Sequence, residues 1–442
     1  MPSKSKPIAE QQVYDTNTTS TGAFDIPVGT TAQRPSSPTS GHIRFNTTIQ
    51  ETEIYDGNNW LKVNANTPVL TSVTGNIVVG TATNLTLSGS EFGGANLVVN
   101  FLQSGDNINT NVTITPSSSV AATVAVPAAV YNNVTAGNDV TIQITNEDLK
   151  TSNVILKTGL ALPTGGTVST SGNFRIHTFN SSADFINQIP SLSVEYLIVA
   201  GGASGGGYYY AGGGGAGGYR TNVTGQTSGA NSSAESAMSI SAATYPVVVG
   251  GGGSAQGTSN TQGNAGGNSS FNSIVSLGGG GGGSNNGSGA GNGLTGGCGG
   301  GGSNKGSGAV GTANQGLGGG GGGGASNTNG AGGGGGAGAN GGGGSAGNAG
   351  VGGAGLSSNI TGSATTRAGG GGGGSGAFSH QSAGGAGGGG TGGTHGASIA
   401  AGAGTANTGG GGGGASHVGS GTGSSGQGGS GIVIVRYDTT AL

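Results

Sequence analysis

Few side chains in this sequence are equipped for chemistry, and their spacing limits what each would do. Ser204 sits in Gly202-Ala203-Ser204-Gly205-Gly206, which matches the G-x-S-x-G form of a serine nucleophile elbow after a strand-like run. The elbow needs a helix next, and GYYYAGGGGAGG is a poor one. The match therefore reads as chance in a glycine-rich stretch. His380, His395 and His417 lie 15 and 22 residues apart. Nothing pairs at i, i+2 or i+4, so they read as loop histidines rather than metal ligands. Lys305 stands between Asn304 and Gly306 and completes no phosphate loop. No enzyme activity, catalytic residue, metal or cofactor is expected.

Tyr208, Tyr209, Tyr210 and Tyr219 have two readings. Tyrosine offers an apolar face and a polar tip, which suits a stacking surface for a sugar or another receptor. Alternatively they cover the first glycine segments where these leave a strand, and their nearness to the strand in sequence favours that cover. Trp60 reads as the core of a small meander or of a subunit interface.

The elements that would position these groups come from an unusual composition. Of 111 glycines in 442 residues, 15 precede Gly201, while charged residues make up 6%. A formal charge of −3 gives no basic surface for nucleic acid. With Cys298 the single cysteine, no internal disulfide can form. The start, MPSKSKPIAEQQVYD, lacks the apolar core of a secretory signal. VAATVAVPAAV and VEYLIVA fall short of the ~18 residues that suggest a membrane span, so no membrane insertion is expected.

Residues 1–64 end in three expected strands, Ile43–Asn46, Thr52–Tyr55 and Trp60–Val63. Asp56-Gly57-Asn58-Asn59 supplies the hairpin chemistry between the last two. So small a meander cannot bury enough apolar surface alone and should pack on another subunit or protein. Residues 67–158, rich in Val, Ile and Thr between Gly, Pro, Asn and Asp turns, read as a β-sandwich of roughly seven strands. Residues 160–200 and 431–442 read as a β platform. In it VEYLIVA and IVIVRY lie together, with NVTGQ, YPVVVG and SSFNSIVSL as candidate returning strands.

Between them, residues 201–430 hold glycine runs at 278–283, 318–324, 332–336, 369–374 and 409–414. Ordering glycine is entropically costly, yet the segment lacks the charge of a solvated linker. Extended threefold helices rising ~3.1 Å per residue would make rods of about 19 Å from six glycines. Without Cβ atoms such rods pack closely and satisfy one another's N–H and C=O groups. Intervening segments, including LSSNITGSATTR, SGAFSHQS, TGGTHGASIAAGAGTANT and ASHVGS, are then displayed at rod ends. The expected fold class is mainly β: an N-terminal meander, an Ig-like sandwich, and a β platform carrying a polyglycine-II-type helical bundle.

VEYLIVAGGASGGG…GGGGAGGYRT, GGNSSFNSIVSLGGGGGG and GGSGIVIVRY resemble the glycine-rich domain of bacteriophage tail-fibre and tail-tip adhesins. GTTAQRPSSPTSGHIRFNTTIQETEIYDGNNWLKV, through Arg34, Pro35, Pro38, Gly41, Arg44, Phe45, Asn46, Glu53, Tyr55, Gly57 and Trp60, resembles a module of phage appendage proteins. LTLSGSEF, VVNF, VAVP and TSN resemble an IPT/TIG-type immunoglobulin-like domain.

These resemblances imply a structural virion protein on the particle surface, extracellular after release. Arg34, Pro35, Arg44, Phe45, Tyr55 and Trp60 would serve attachment to other virion proteins and oligomerisation, with a homotrimer expected. Phe378, His380, Thr394, His395, His417, Tyr208, Tyr209 and Tyr210 would meet a host cell-surface protein or polysaccharide. The alternatives are a virion spacer or decoration protein without receptor binding, and an ice- or surface-binding protein. A polysaccharide-degrading spike would need clustered carboxylates, which the glycine region lacks.

Overall fold

The computed structural model describes residues 26–63, 66–257, 260–285, 291–324, 329–376, 380–395, 399–418 and 421–442. The protein is mainly β and divides into two units, residues 1–160 and 161–442.

The first unit begins with a four-stranded sheet in which Val28–Gly29 runs parallel to Ile43–Asn46, followed by Glu51–Tyr55 and Trp60–Lys62. The Asp56 carboxylate accepts the N–H groups of Asn58 (2.7 Å) and Asn59 (2.6 Å), the local bonding that makes Asp a turn residue. Two further sheets then form a sandwich. One holds three strands in the order Ala121–Ala125, Asn84–Ser90, Val69–Thr74. The other holds five: Ile77–Val78, Ile155–Leu160, Asp139–Thr145, Leu97–Gln103 and Ile108–Ile114. Alternate residues such as Leu85, Leu87, Val99, Phe101, Val140, Ile142 and Ile144 point inward and form one buried core. That alternation is what a sandwich with one wet face per sheet requires.

In the second unit, Ile432–Asp438 lies between Phe174–Phe179 and Leu192–Val199 at the centre of a six-stranded sheet. The two apolar runs that bracket the glycine region thus pair directly, Val199 opposite Ile432 and Glu195 opposite Arg436. Of the segments expected to return, Ala243–Val248, Ser269–Phe271 and Ile274–Ser276 do so, joining Ala183–Asn187 in a second sheet. NVTGQ instead forms a turn. Phe185 links the two sheets, packing edge-on to His177 at 5.0 Å and to Phe271 at 5.8 Å. The other face of the six-stranded sheet, with Leu197, Val199, Ile432 and Ile434, is covered by Ala216, Cys298, Ala337 and Ala368 of the glycine segments.

Among the described residues those segments contain no α-helix. They are organised by a hydrogen-bond period of three. Residues 211–218 show it over their whole length. Gly212, Gly215 and Gly218 donate to Gly283, Gly280 and Leu277. Gly213 and Ala216 donate to Gly332 and Gly335, while Ala211, Gly214 and Gly217 donate to Ala415, Gly412 and Gly409. Consecutive N–H groups therefore address three neighbouring rods in rotation. The carbonyls receive from three more: residues 200–206, Cys298 and Gly301, and Gly371 and Gly374. Rod 211–218 is thus enclosed by six others.

Glycine is required by this spacing. A Cβ on Gly213 would lie 2.2 Å from the Gly371 carbonyl oxygen, and one on Gly217 2.0 Å from that of Ala200. The bonds among rods, 2.8–3.1 Å for residues 211–218, are what offset the ordering entropy of a chain without side chains.

Candidate functional site

The rods 200–207 and 211–218 each have one end at the six-stranded sheet. Tyr219 pairs with Val199 in the sheet, Ala200 donates to Gly218, and Gly206 donates to Gly212. The turn joining these two rods, Tyr208-Tyr209-Tyr210, therefore lies at the end remote from the sheet. Seven residues of extended rod span about 22 Å. This corrects the expectation that the three tyrosines cover the glycines beside the strand. Proximity in sequence misled, because an extended rod carries the chain far from the strand in few residues. Tyr219 does sit at the platform: it is fully buried, and burial pushes its phenol up to about 12.

The remote turn is tied down by backbone and side-chain bonds. Asn304 N–H donates to the Tyr210 carbonyl at 3.0 Å, and Tyr209 bridges to Asn285 through the backbone. Ser284 Oγ donates to the Gly207 carbonyl at 2.7 Å, and Asn285 Nδ2 to Asn304 Oδ1 at 2.8 Å. Tyr208 and Tyr210 adopt φ of 76° and 41°, a region side chains enter only where surrounding structure over-determines it. The rings form a continuous cluster. Tyr208 meets Tyr209 edge-on at 4.2 Å, Tyr209 lies 6.0 Å from Tyr210, and Tyr210 stacks on His395 at 6.1 Å. All four are half-buried. Desolvation first, then the neighbouring tyrosine, raises the phenol pKa of Tyr209 and of Tyr210. Both stay neutral hydrogen-bonding groups at ordinary pH. Among the described residues, Lys305, in the turn following Asn304, is the one formally charged residue at this end of the bundle.

The other expected contact residues divide. His395 joins the tyrosines, whereas Thr394, expected on the displayed surface, is 1% exposed. His380 is exposed. Phe378 lies outside the described residues, as does the side chain of His417, whose backbone pairs with Thr422. LSSNITGSATTR is not displayed at the remote end. Its strands Leu356–Ser358 and Thr365–Arg367 form a hairpin at the platform, where Ile360 is buried and its carbonyl accepts from Arg436 at 3.0 Å. Ser204 is fully buried inside a rod, its hydroxyl accepting the Asn264 N–H at 2.8 Å, and residues 205–207 continue the rod where an elbow would need a helix.

In the N-terminal sheet, Arg34 Nη2 contacts Glu53 at 2.6 Å and Arg44 Nε lies 3.4 Å from it. Trp60 is half-buried, with both guanidinium carbons 6.0 Å from its ring and Tyr55 at 5.5 Å. It therefore stands beside a charged cluster and not in an apolar core. Pro35 is exposed and Phe45 half-buried.

One arrangement escaped the reading of the sequence. Arg220 and Glu235 form a two-pronged ion pair (2.6 and 2.8 Å) that also receives the Tyr196 hydroxyl at 2.8 Å, beside a groove of about 760 Å³. The Glu235 carboxylate accepts from both of these partners. Its only signal in the sequence was the scarcity of charge around it. Among the described residues no group of three His, Cys, Asp or Glu is placed to hold a metal ion, and no helix is long and apolar enough to cross a membrane.

No curated protein and no solved structure matches the chain. A family model described as a glycine-rich domain matches residues 180–438, from the platform strands through all the rods to the closing strand. The chain belongs to this glycine-rich domain family.

Proposed function

We propose that the protein is a bacteriophage appendage protein, a tail fibre or tail-tip adhesin, that binds the host cell surface through the remote end of its rod bundle. The N-terminal sheet attaches it to other virion proteins and assembles a homotrimer. The sandwich, read as IPT/TIG-like, is a spacer, and the rods, read as polyglycine-II-type helices, are a stiff support for the binding turns. The observation that carries the reading is the Tyr208–Tyr210 turn: three aromatic side chains at the tip of a rod enclosed by six others, two in strained backbone geometry. A nearly uncharged surface of tyrosine, asparagine and serine suits a saccharide or an outer-surface protein, because rings stack on apolar faces while amides and hydroxyls bond the rim. Repetition on one particle multiplies weak single contacts.

The test is binding of fluorescently labelled full-length protein to a panel of bacterial strains by flow cytometry. The expected result is binding to at least one strain, reduced about tenfold or more by the double substitution Tyr209→Ala, Tyr210→Ala. Binding indifferent to that substitution, or to no strain, overturns the reading in favour of a spacer.

A further inference from the structure

The N-terminal sheet is built inside out. Its register places Val28, Phe45 and Thr52 in one row and Ile43, Ile54 and Leu61 in another, all on the same face. Val63, whose N–H donates to Thr52, extends that face. The face is the open one: Val28 is 67% exposed, Val63 47%, Ile43 38% and Ile54 36%. The opposite face is polar and covered, with Asn46 and Glu53 at no more than 1% exposure and Arg44 at 5%. Residues 30–34 lie over it. Thr31 and Asn46 bond through their side chains, Arg34 pairs with Glu53, and Arg44 donates to the Thr30 carbonyl.

A sheet with one apolar face is stable only when another layer covers that face. Among the described residues of this unit none does so. Lys62, on the polar face, reaches Glu147 (3.6 Å) and Asp148 (3.2 Å) of the sandwich, so the sandwich meets the polar side. We propose that the apolar face is covered by the same face of further copies of this chain, making residues 28–63 the surface of self-assembly. The choice of a second copy rests on charge. Arg34, Arg44, Glu51, Glu53 and Lys62 all lie on or over the opposite face, and the open face carries no formal charge. Where a small surface meets its own copy about a symmetry axis, a charge near the axis lies close to its own image; a face free of charge meets its copy without that repulsion. Self-association surfaces are also the more apolar class of interface. This inference deepens the appendage reading, and the number of copies rests on that reading; the face itself follows from the register.

The test uses the full-length chain, with mass measured by light scattering after gel filtration across a wide concentration range. The expected result is a multiple of the single-chain mass that falls to one chain in Ile54→Lys, with unchanged Trp60 fluorescence showing that the sheet remains folded. Should that variant fail to fold, Ile54→Cys serves instead. Cys298 is buried, so the introduced thiol is the accessible one, and mild oxidation with copper phenanthroline should link chains pairwise. Glu51→Cys, on the opposite face, should not link them. A single-chain mass at every concentration overturns the proposal, as does a multimer indifferent to Ile54→Lys. Association that begins only when residues 1–25 are removed overturns it in favour of cover by the chain's own N-terminal segment. Cell binding through Tyr209 and Tyr210 is read separately, so either proposal can fail alone.

Discussion

Glu195 and Arg436 are 241 residues apart in sequence and face each other in adjacent central strands, Nε to Oε2 at 2.7 Å. Arg436 also lies 4.1 Å over the Phe174 ring and donates to the Ile360 carbonyl, so one guanidinium ties together both brackets of the rod region and the Leu356–Arg367 hairpin. Arg436→Ala is expected to destabilise the glycine-rich unit by about 2–3 kcal/mol, the scale of losing charge-assisted bonds in a mostly buried site. Arg436→Lys should fall between, keeping the charge and losing the planar fork. Differential scanning calorimetry reads the shift; an unmoved midpoint would show that the strands hold without it.

The rods predict a sharp contrast between glycines. Gly213→Ala and Gly214→Ala place a methyl 2.2–2.3 Å from backbone oxygens on neighbouring rods. Main chain cannot step aside as a side chain can, so each should cost about 3 kcal/mol or more. At Gly251 an added Cβ would meet nothing within 4 Å, and φ there is not positive, so Gly251→Ala should be neutral or stabilising by up to ~1 kcal/mol. Thermal unfolding of the three variants beside the parent distinguishes them; equal effects would contradict the close approach of the rods.

Cys298 should be inert while the protein is folded. Burial pushes its thiol up to about 12, and Sγ lies 3.7 Å from the Gly217 carbonyl, which it serves as donor. A thiol reagent at pH 8 is expected to label no cysteine in the native protein and one after denaturation. Rapid native labelling would mean that the rods open readily.

Glu53 makes the N-terminal sheet acid-sensitive. Burial raises its pKa, but the bonds from Arg34 and Asn46 and the charges of Arg34 and Arg44 outweigh burial and leave it below the ordinary 4.5. A carboxylate with a depressed folded pKa contributes stability that is fully present above its unfolded value and is lost as pH falls through its folded value. The sheet should therefore weaken below about pH 4.5. Trp60, the single tryptophan, lies 6.0 Å from both arginines, so its emission reports the loss. Glu53→Gln should lower stability at pH 7 and flatten the acid limb; an unchanged pH profile would remove Glu53 as the cause.

Much of the β framework was legible because side chains alternate along it. Ile43–Asn46, Glu51–Tyr55 and Trp60–Lys62 fall where alternation and the Asp56 turn put them. VEYLIVA and GIVIVRY, two apolar runs flanking a charge-poor insertion, pair as expected. What alternation cannot tell is which face is covered: in the N-terminal sheet it is the charged one, since Arg34 from an irregular segment supplies the cover. Among the rods there is no alternation to read. The neighbours of Gly212, Gly213 and Gly214 are set by backbone bonds that any glycine could make, so the six-fold surround of residues 211–218 left no mark on the sequence. The same blindness put Tyr208–Tyr210 at the wrong end and displayed a hairpin that in fact packs under Arg436.

The rotation of bonds from Gly212 to Gly213 to Gly214 gives each rod a frame. Inserting one residue within residues 212–217 would turn every later N–H by a third of a turn, so that groups now addressing the 277–283 rod would point at another neighbour. An insertion of three restores every direction and lengthens the rod by about 9 Å. Length variation within this bundle is therefore quantised in triplets, a count that does not bind the turns at its remote end, which lie outside the frame.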